Sequence, residues 1–156
     1  MVKTMTQSLN IPMFTLSDDC DATELLKMRQ QLKQDVKGLT VLPFFIKAIS
    51  LAMYDYPIVN SVVNPELDSN GYIHEYVIKH DHNFSIAIDS KLGLTTPVIK
   101  KVQDKSILDV NSDLRDLITR VNDNKLAMDD FEGGTFSVSS VGNIGGRYFV
   151  PTVLRP

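Results

Sequence analysis

Gly133-Gly134-Thr135-Phe136-Ser137-Val138-Ser139-Ser140-Val141 reads as a strand entered through a glycine pair. From Thr135 onward, hydroxyl and apolar side chains alternate. Phe136 and Val138 therefore face one way, and Thr135, Ser137 and Ser139 the other. The apolar face wants a core; the hydroxyl face either meets solvent or lines a channel. A second glycine group, Gly142-Asn143-Ile144-Gly145-Gly146, follows. No Gly-Lys-Ser/Thr follows it and its spacing is not a dinucleotide fingerprint, so taken alone these glycines mark turns. Tyr148–Leu154 then reads as a last apolar extended segment.

Working back from that strand, Ser106 caps a helix with Asp109 in the capping-box position, and Ile107, Val110, Leu114, Leu117 and Val121 form its apolar stripe. Leu94–Ile99 and Phe84–Asp89 are short extended segments, with Ile86 and Ile88 sharing a face. Two further strands are expected near Val59–Val63 and Tyr72–Ile78, separated by turn chemistry at Pro65–Gly71. A helix capped by Thr40, with Pro43 in its first turn, carries apolar residues around nearly its whole circumference and is expected to be buried on most sides. Asp21 to Glu24 resembles a capping box for a helix that turns Leu25, Met28, Leu32 and Val36 inward and ends at Gly38. Ile11–Leu16 reads as a strand, and Met1, Met5 and Leu9 fall on one helix face.

The 156 residues suit one domain, with 43% apolar side chains and no internal repeat. Sixteen basic and 19 acidic residues give a net charge of −3, which argues against nucleic acid as the main partner. The longest apolar run, Val41 to Ile46, is far shorter than the ~20 residues of a membrane helix. A single cysteine, Cys20, excludes an intrachain disulfide framework and a cysteine-rich zinc site. The start of the chain carries no secretory signal.

Three groups of residues invite a chemical reading. Asp18, Asp19, Asp21 and Glu24 lack the length and glycine of a calcium loop and read as a cap and a solvated turn. His80 and His82 would share a strand face, but no third metal ligand has a persuasive spacing. Asn83-Phe84-Ser85 matches a glycosylation pattern, yet it falls in an expected strand.

Several segments in order resemble one family across the whole chain: Leu39-Thr40-Val41-Leu42-Pro43-Phe44-Phe45, Tyr56-Pro57-Ile58-Val59-Asn60, His82-Asn83-Phe84-Ser85-Ile86-Ala87-Ile88-Asp89, Gly93-Leu94-Thr95-Thr96-Pro97-Val98-Ile99 and Gly133–Gly142. They resemble the catalytic domain of the dihydrolipoamide acyltransferases, core components of 2-oxo acid dehydrogenase complexes, and most of all the branched-chain member. The resemblance implies an α/β (α+β, two-layer) fold of the chloramphenicol-acetyltransferase type: a mixed sheet with flanking helices, incomplete here. It implies transfer of a branched acyl group between lipoyl sulfur and coenzyme A, trimers that build a larger core, and an active-site channel between subunits. Its implied partners are a decarboxylase and a dihydrolipoamide dehydrogenase, bound through domains absent from this chain; neither nucleic acid nor membrane is expected. The implied location is the mitochondrial matrix, with the bacterial cytoplasm as the alternative. Acetyl- or succinyl-transferring members, a non-catalytic core subunit, and a small binding module using the polar strand face remain alternatives.

The same resemblance assigns site residues. Ser139 matches the serine that stabilises the oxyanion. Arg29, Thr40, Asp89 and Ser140 fall at coenzyme A positions, along with Ser139; Thr40 replaces a serine, Ser140 an asparagine, and Ile118 a polar contact. No metal is implied. The family's general base is a histidine in a His-x-x-x-Asp-Gly motif; that motif is absent, and His74, His80 and His82 lie in the wrong region. Residues 1–156 are thus expected to be the N-terminal two-thirds of the domain, without lipoyl or subunit-binding domains, and inactive alone. The missing strands would leave sheet edges and apolar surface open.

Overall fold

The computed structural model describes residues 2–64, 66–90, 93–141, 145, 150 and 153. Four helices are α1 (Val2–Ser8), α2 (Thr23–Leu32), α3 (Leu42–Asp55) and α4 (Ile107–Asn122). Among the described residues the strands are β1 (Ser61–Val63), β2 (Tyr76–Ile78), β3 (Phe84–Ile86), β4 (Ile88–Ser90), β5 (Gly93–Thr95), β6 (Val98–Ile99) and β7 (Phe136–Val138). They form a mixed three-stranded sheet, β6-β3-β7, and two antiparallel pairs, β1-β2 and β4-β5. Within the mixed sheet β3 runs antiparallel to β6 and parallel to β7.

α3 and α4 pack against each other and against this sheet. Between them lie Ile46 and Met53 from α3, Phe84 and Ile86 from β3, Ile99, Val102, and Val110, Leu114 and Leu117 from α4. The phenyl ring of Phe136 meets that of Phe84 at 5.7 Å, tilted 60°, so the apolar face of β7 sits on the core as its alternation requires. α4 begins as its sequence specifies: Asp109 N–H donates to Ser106 Oγ at 3.2 Å, and Ser106 N–H donates to Asp109 Oδ2 at 2.9 Å. Its stripe is buried at Val110, Leu114, Leu117 and Val121.

Several elements differ from expectation. Ile11–Leu16 is not a strand; among the described residues no strand pairs with it, and Phe14 is 88% exposed. α2 ends at Leu32, short of Gly38, and buries none of its residues; Met28 and Leu32 lie exposed. α3 begins at Leu42 with Val41 at its cap and Pro43 in its first turn, so Thr40 stands outside the helix and caps nothing. Only one side of α3 is covered: Phe44, Ile46 and Met53 are buried, whereas Phe45 and Leu51 are exposed.

Pro57–Asn60 is a 3-10 turn rather than the start of a strand. Pro57 begins it, and the Asn60 amide nitrogen donates to Lys79 O at 2.8 Å and Asp81 O at 3.2 Å. Of Tyr72–Ile78 the last three residues form β2, and Ile73 makes only an isolated antiparallel bridge to Leu67. Phe84–Asp89 breaks at Ala87, so its halves join different sheets, and Leu94–Ile99 breaks at Thr96-Pro97. The extended segment expected at Tyr148–Leu154 lies outside the described residues except at Val150 and Val153.

Candidate functional site

The assigned residues gather in two groups. Arg29, on α2, donates through Nη1 to Leu39 O at 3.5 Å, which sets its guanidinium beside Thr40. Its Nε is buried with no partner among the described residues, so one donor of the fork is left unused. The turn ahead of Thr40 is held from the far side too: Arg115 Nη1 donates to Lys37 O at 2.9 Å, and its side chain packs against Gly38, whose φ of +71° suits glycine. Leu39 is buried at the hinge of this turn, and Thr40 is exposed. A guanidinium next to an exposed hydroxyl is chemistry for an anionic oxygen.

The second group lies at one end of the parallel pair. β7 is in register with β3 at Phe84–Phe136, Ser85–Ser137 and Ile86–Val138, and Ala87 N–H donates to Val138 O at 3.2 Å. Ser139 and Ser140 emerge just past this last bond, both exposed. On the neighbouring strand the chain continues into β4, which carries the exposed Asp89. Ser139 and Asp89 therefore project from the same end of the sheet. No hydrogen bond or ion pair joins the Arg29 group to the Ser139 group among the described residues. Ile118 is part-exposed on α4, on the side away from the core stripe.

The histidines are elsewhere. His80 and His82 do not share a strand face, because β3 begins only at Phe84. His80 is exposed, 3.4 Å from Asp81 Oδ1. His82 is buried and shares a 2.8 Å hydrogen bond between its Nδ1 and Ser50 Oγ, with the Tyr54 ring at 5.2 Å. Burial holds its pKa below the usual 6.5, and the positive charges of His80 and Lys47 push the same way. The β3–β7 register puts Ser139 level with Ala87, five residues beyond His82, or about 16 Å along a strand. His82 thus sits at the opposite end of the sheet from Ser139 and cannot serve it as a base. Two clefts of about 190 Å³ each lie beside His82 and between α4 and the Met128–Phe131 turn, and Ser139 lines neither.

Asp21 Oδ1 accepts from Thr23 N–H at 2.9 Å and Thr23 Oγ–H at 2.6 Å, which lowers its pKa and makes the acidic cluster a local turn. Asn83 plays a part that its glycosylation pattern concealed. Its amide nitrogen donates to Gly133 O at 2.7 Å and its Oδ1 accepts from Lys101 N–H at 2.8 Å. Only the position of an asparagine just before a strand, opposite a glycine pair, hinted at this.

Compared with known proteins, this geometry has clear relatives. The family model for 2-oxoacid dehydrogenases acyltransferase (catalytic domain) matches residues 1–156, and the chain belongs to that family. It is 38% identical over its full length to the mouse mitochondrial lipoamide acyltransferase component of the branched-chain alpha-keto acid dehydrogenase complex, covering 32% of that protein. It is 32% identical, over 93% of its length, to the dihydrolipoyllysine-residue acetyltransferase component of the pyruvate dehydrogenase complex of Bacillus subtilis, again covering 32%. Among solved structures, the dihydrolipoamide acetyltransferase of Azotobacter vinelandii superposes with a TM-score of 0.88 at 33% identity, over 97% of this chain and 62% of that one. A cubic core of a pyruvate dehydrogenase multienzyme complex superposes at 0.89, with 33% identity and the same coverage. The chain therefore spans about a third of the curated relatives and under two-thirds of these solved cores. The fold is that of the acyltransferase catalytic core, the chloramphenicol-acetyltransferase type expected from sequence. Among the described residues no helix is long and apolar enough to cross a membrane.

Proposed function

We propose that these 156 residues are the N-terminal two-thirds of a catalytic domain that moves a branched-chain acyl group between lipoyl sulfur and coenzyme A. The observation that carries this reading is the exposed Ser139 hydroxyl at the end of β7, beside the Asp89 strand and remote from His82. Thiol-to-thioester exchange starts when a base takes the proton of the attacking thiol. The thiolate sulfur bonds to the thioester carbon, and the carbonyl electron pair moves to oxygen. Ser139 Oγ–H donates to that oxyanion. The oxyanion then re-forms the carbonyl and breaks the other carbon–sulfur bond, and the leaving thiolate takes the proton back from the base. Arg29 and Thr40 bind coenzyme A phosphate, with Asp89 accepting from the cofactor and Ser140 assisting.

The base comes from outside residues 1–156, so the chain alone is inactive. The lipoyl group arrives on a domain outside it as well. Phe45, Leu51, Tyr54, Tyr56 and Ile58 are exposed large side chains on and just after α3, and a protein contact could cover them, which supports trimers within a larger core. The decarboxylase and dihydrolipoamide dehydrogenase of the complex are the further partners. The mouse relative supports the mitochondrial matrix as the location, and the Bacillus relative a bacterial cytoplasm.

The acetyl-transferring alternative draws support from the solved acetyltransferase at 33% identity. A form of the protein extended through the histidine motif separates the two readings by its rates with isobutyryl- and acetyl-coenzyme A. In that form Ser139→Ala lowers kcat by about 10²–10³-fold with little change in KM. An unchanged kcat removes Ser139 from the mechanism.

A further inference from the structure

Asn83 is the junction of three segments. Its amide nitrogen holds Gly133 O at 2.7 Å, and its Oδ1 holds the N–H of Lys101, a non-glycine residue in the left-handed region at φ +55°. Its backbone is engaged as well: Asn83 N–H donates to Thr135 Oγ1 at 3.1 Å, and Asn83 O accepts from the N–H groups of Thr135 at 2.8 Å and Phe136 at 3.1 Å. All of these bonds lie at the entry to β7 except the one to Lys101, which ties the same point to the turn after β6.

The entry needs such a pin. A glycine pair specifies little by itself, since weakly patterned strands slip in register. The alternation of Phe136 and Val138 with the serines fixes which face meets the core. It does not distinguish registers two residues apart, because those keep the same face inward. A two-residue slip would carry Ser137 or Val141 to the place of Ser139. We infer that Asn83 is a positioning residue: its carboxamide fixes the register of β7 on β3 and so sets where the Ser139 hydroxyl stands. This rests on the proposed role of Ser139 for its functional meaning, though not for its test.

Hydrogen exchange of the whole chain, followed by peptide mass spectrometry, tests it. Asn83→Ala removes both side-chain bonds; Asn83→Asp keeps the acceptor for Lys101 N–H and loses the donor to Gly133 O. With Asn83→Ala, exchange rises about tenfold in peptides covering 135–141, through the lost bond to Gly133 O, and about tenfold in 100–104, through the lost bond to Lys101 N–H, while α4 peptides keep their protection. Asn83→Asp, which also serves should the alanine variant not fold, raises exchange in 135–141 by about one such step and leaves 100–104 protected. A uniform rise across all peptides, or none in 135–141, overturns the inference. Acyl transfer by the form extended through the histidine motif gives the second readout: Asn83→Ala combined with Ser139→Ala lowers kcat no further than Ser139→Ala alone if Asn83 acts through Ser139, and additive losses refute that. If Ser139→Ala alone leaves transfer intact, the role of Ser139 fails while the exchange result still decides the register.

Discussion

Gly134→Ala tests how tightly β7 is seated. A Cβ on Gly134 would overlap Ser85 Oγ, well inside the 3.0 Å floor for such contacts, whereas its next neighbours, Val98 Cγ2 at 3.4 Å and Ser85 Cβ at 3.6 Å, are at ordinary distances. The clash therefore rests on one hydroxyl. The serine can escape by leaving its rotamer or the strands can part, and overpacking of this kind costs about 1–3 kcal/mol. Against this, alanine restricts the unfolded chain and returns about 0.4–1 kcal/mol. The net expectation is a loss of about 1–2 kcal/mol, a fall in Tm of several degrees. Ser85→Ala removes the obstructing atom, so Gly134→Ala with Ser85→Ala should recover at least the parental stability. Urea unfolding of the four proteins closes the cycle. A Gly134→Ala loss that Ser85→Ala leaves in place would refute the reasoning, because the obstacle would then be backbone.

Other expectations follow from the same geometry. The depressed pKa of His82 means that the folded protein binds fewer protons than the unfolded chain once pH falls below about 6.5. Its contribution is complete above that pH and is lost as pH falls toward the folded value, so urea midpoints should drop in this window and His82→Gln should flatten the drop. Arg120 Nη1 grips both oxygens of Asp130 at 2.8 and 2.7 Å, while the more exposed Asp116 takes only its Nε, so Asp130→Asn should lower Tm more than Asp116→Asn. Arg29→Lys keeps the charge and loses the fork; calorimetry should show coenzyme A affinity falling about tenfold, with a shallower salt dependence only when the charge is removed by Arg29→Met. Unchanged affinity in both variants would leave Arg29 a helix side chain without a ligand.

Local signals carried the helices best where side chain and backbone agree. Ser106 and Asp109 specify the start of α4, and its stripe specifies its inner face. β7 was legible from alternation alone, and its partner only from the structure, since parallel pairing with β3 joins residues about fifty apart in sequence. The strand expected at Ile11–Leu16 failed because an apolar extended stretch is a strand only when another edge receives it, and none of the described strands does. Thr40 looked like a cap because caps are short-range chemistry; Pro43 and Val41 moved the helix start past it. Of the site, the residue identities came from the family resemblance and not from spacing. Their grouping needed the fold: Arg29 reaches the turn at Thr40 through Leu39, ten residues along the chain, and the β3–β7 register, with the chain running on from β3 into β4, brings Asp89 to the end where Ser139 emerges. Asn83 stayed hidden because its side-chain bonds depend on the Gly133 and Lys101 backbones meeting it.

The central claim is that these residues hold the oxyanion donor and the cofactor positions while the base lies outside them. Acyl transfer from isobutyryl-coenzyme A to dihydrolipoamide, measured side by side for the 156-residue protein and for a form extended through a His-x-x-x-Asp-Gly segment, tests it most directly. The shorter protein should show no transfer and the longer one turnover, abolished when the added histidine is changed to alanine. Turnover by the shorter protein at a comparable rate would contradict it, since His82 stands at the wrong end of the sheet to act on a thiol at Ser139.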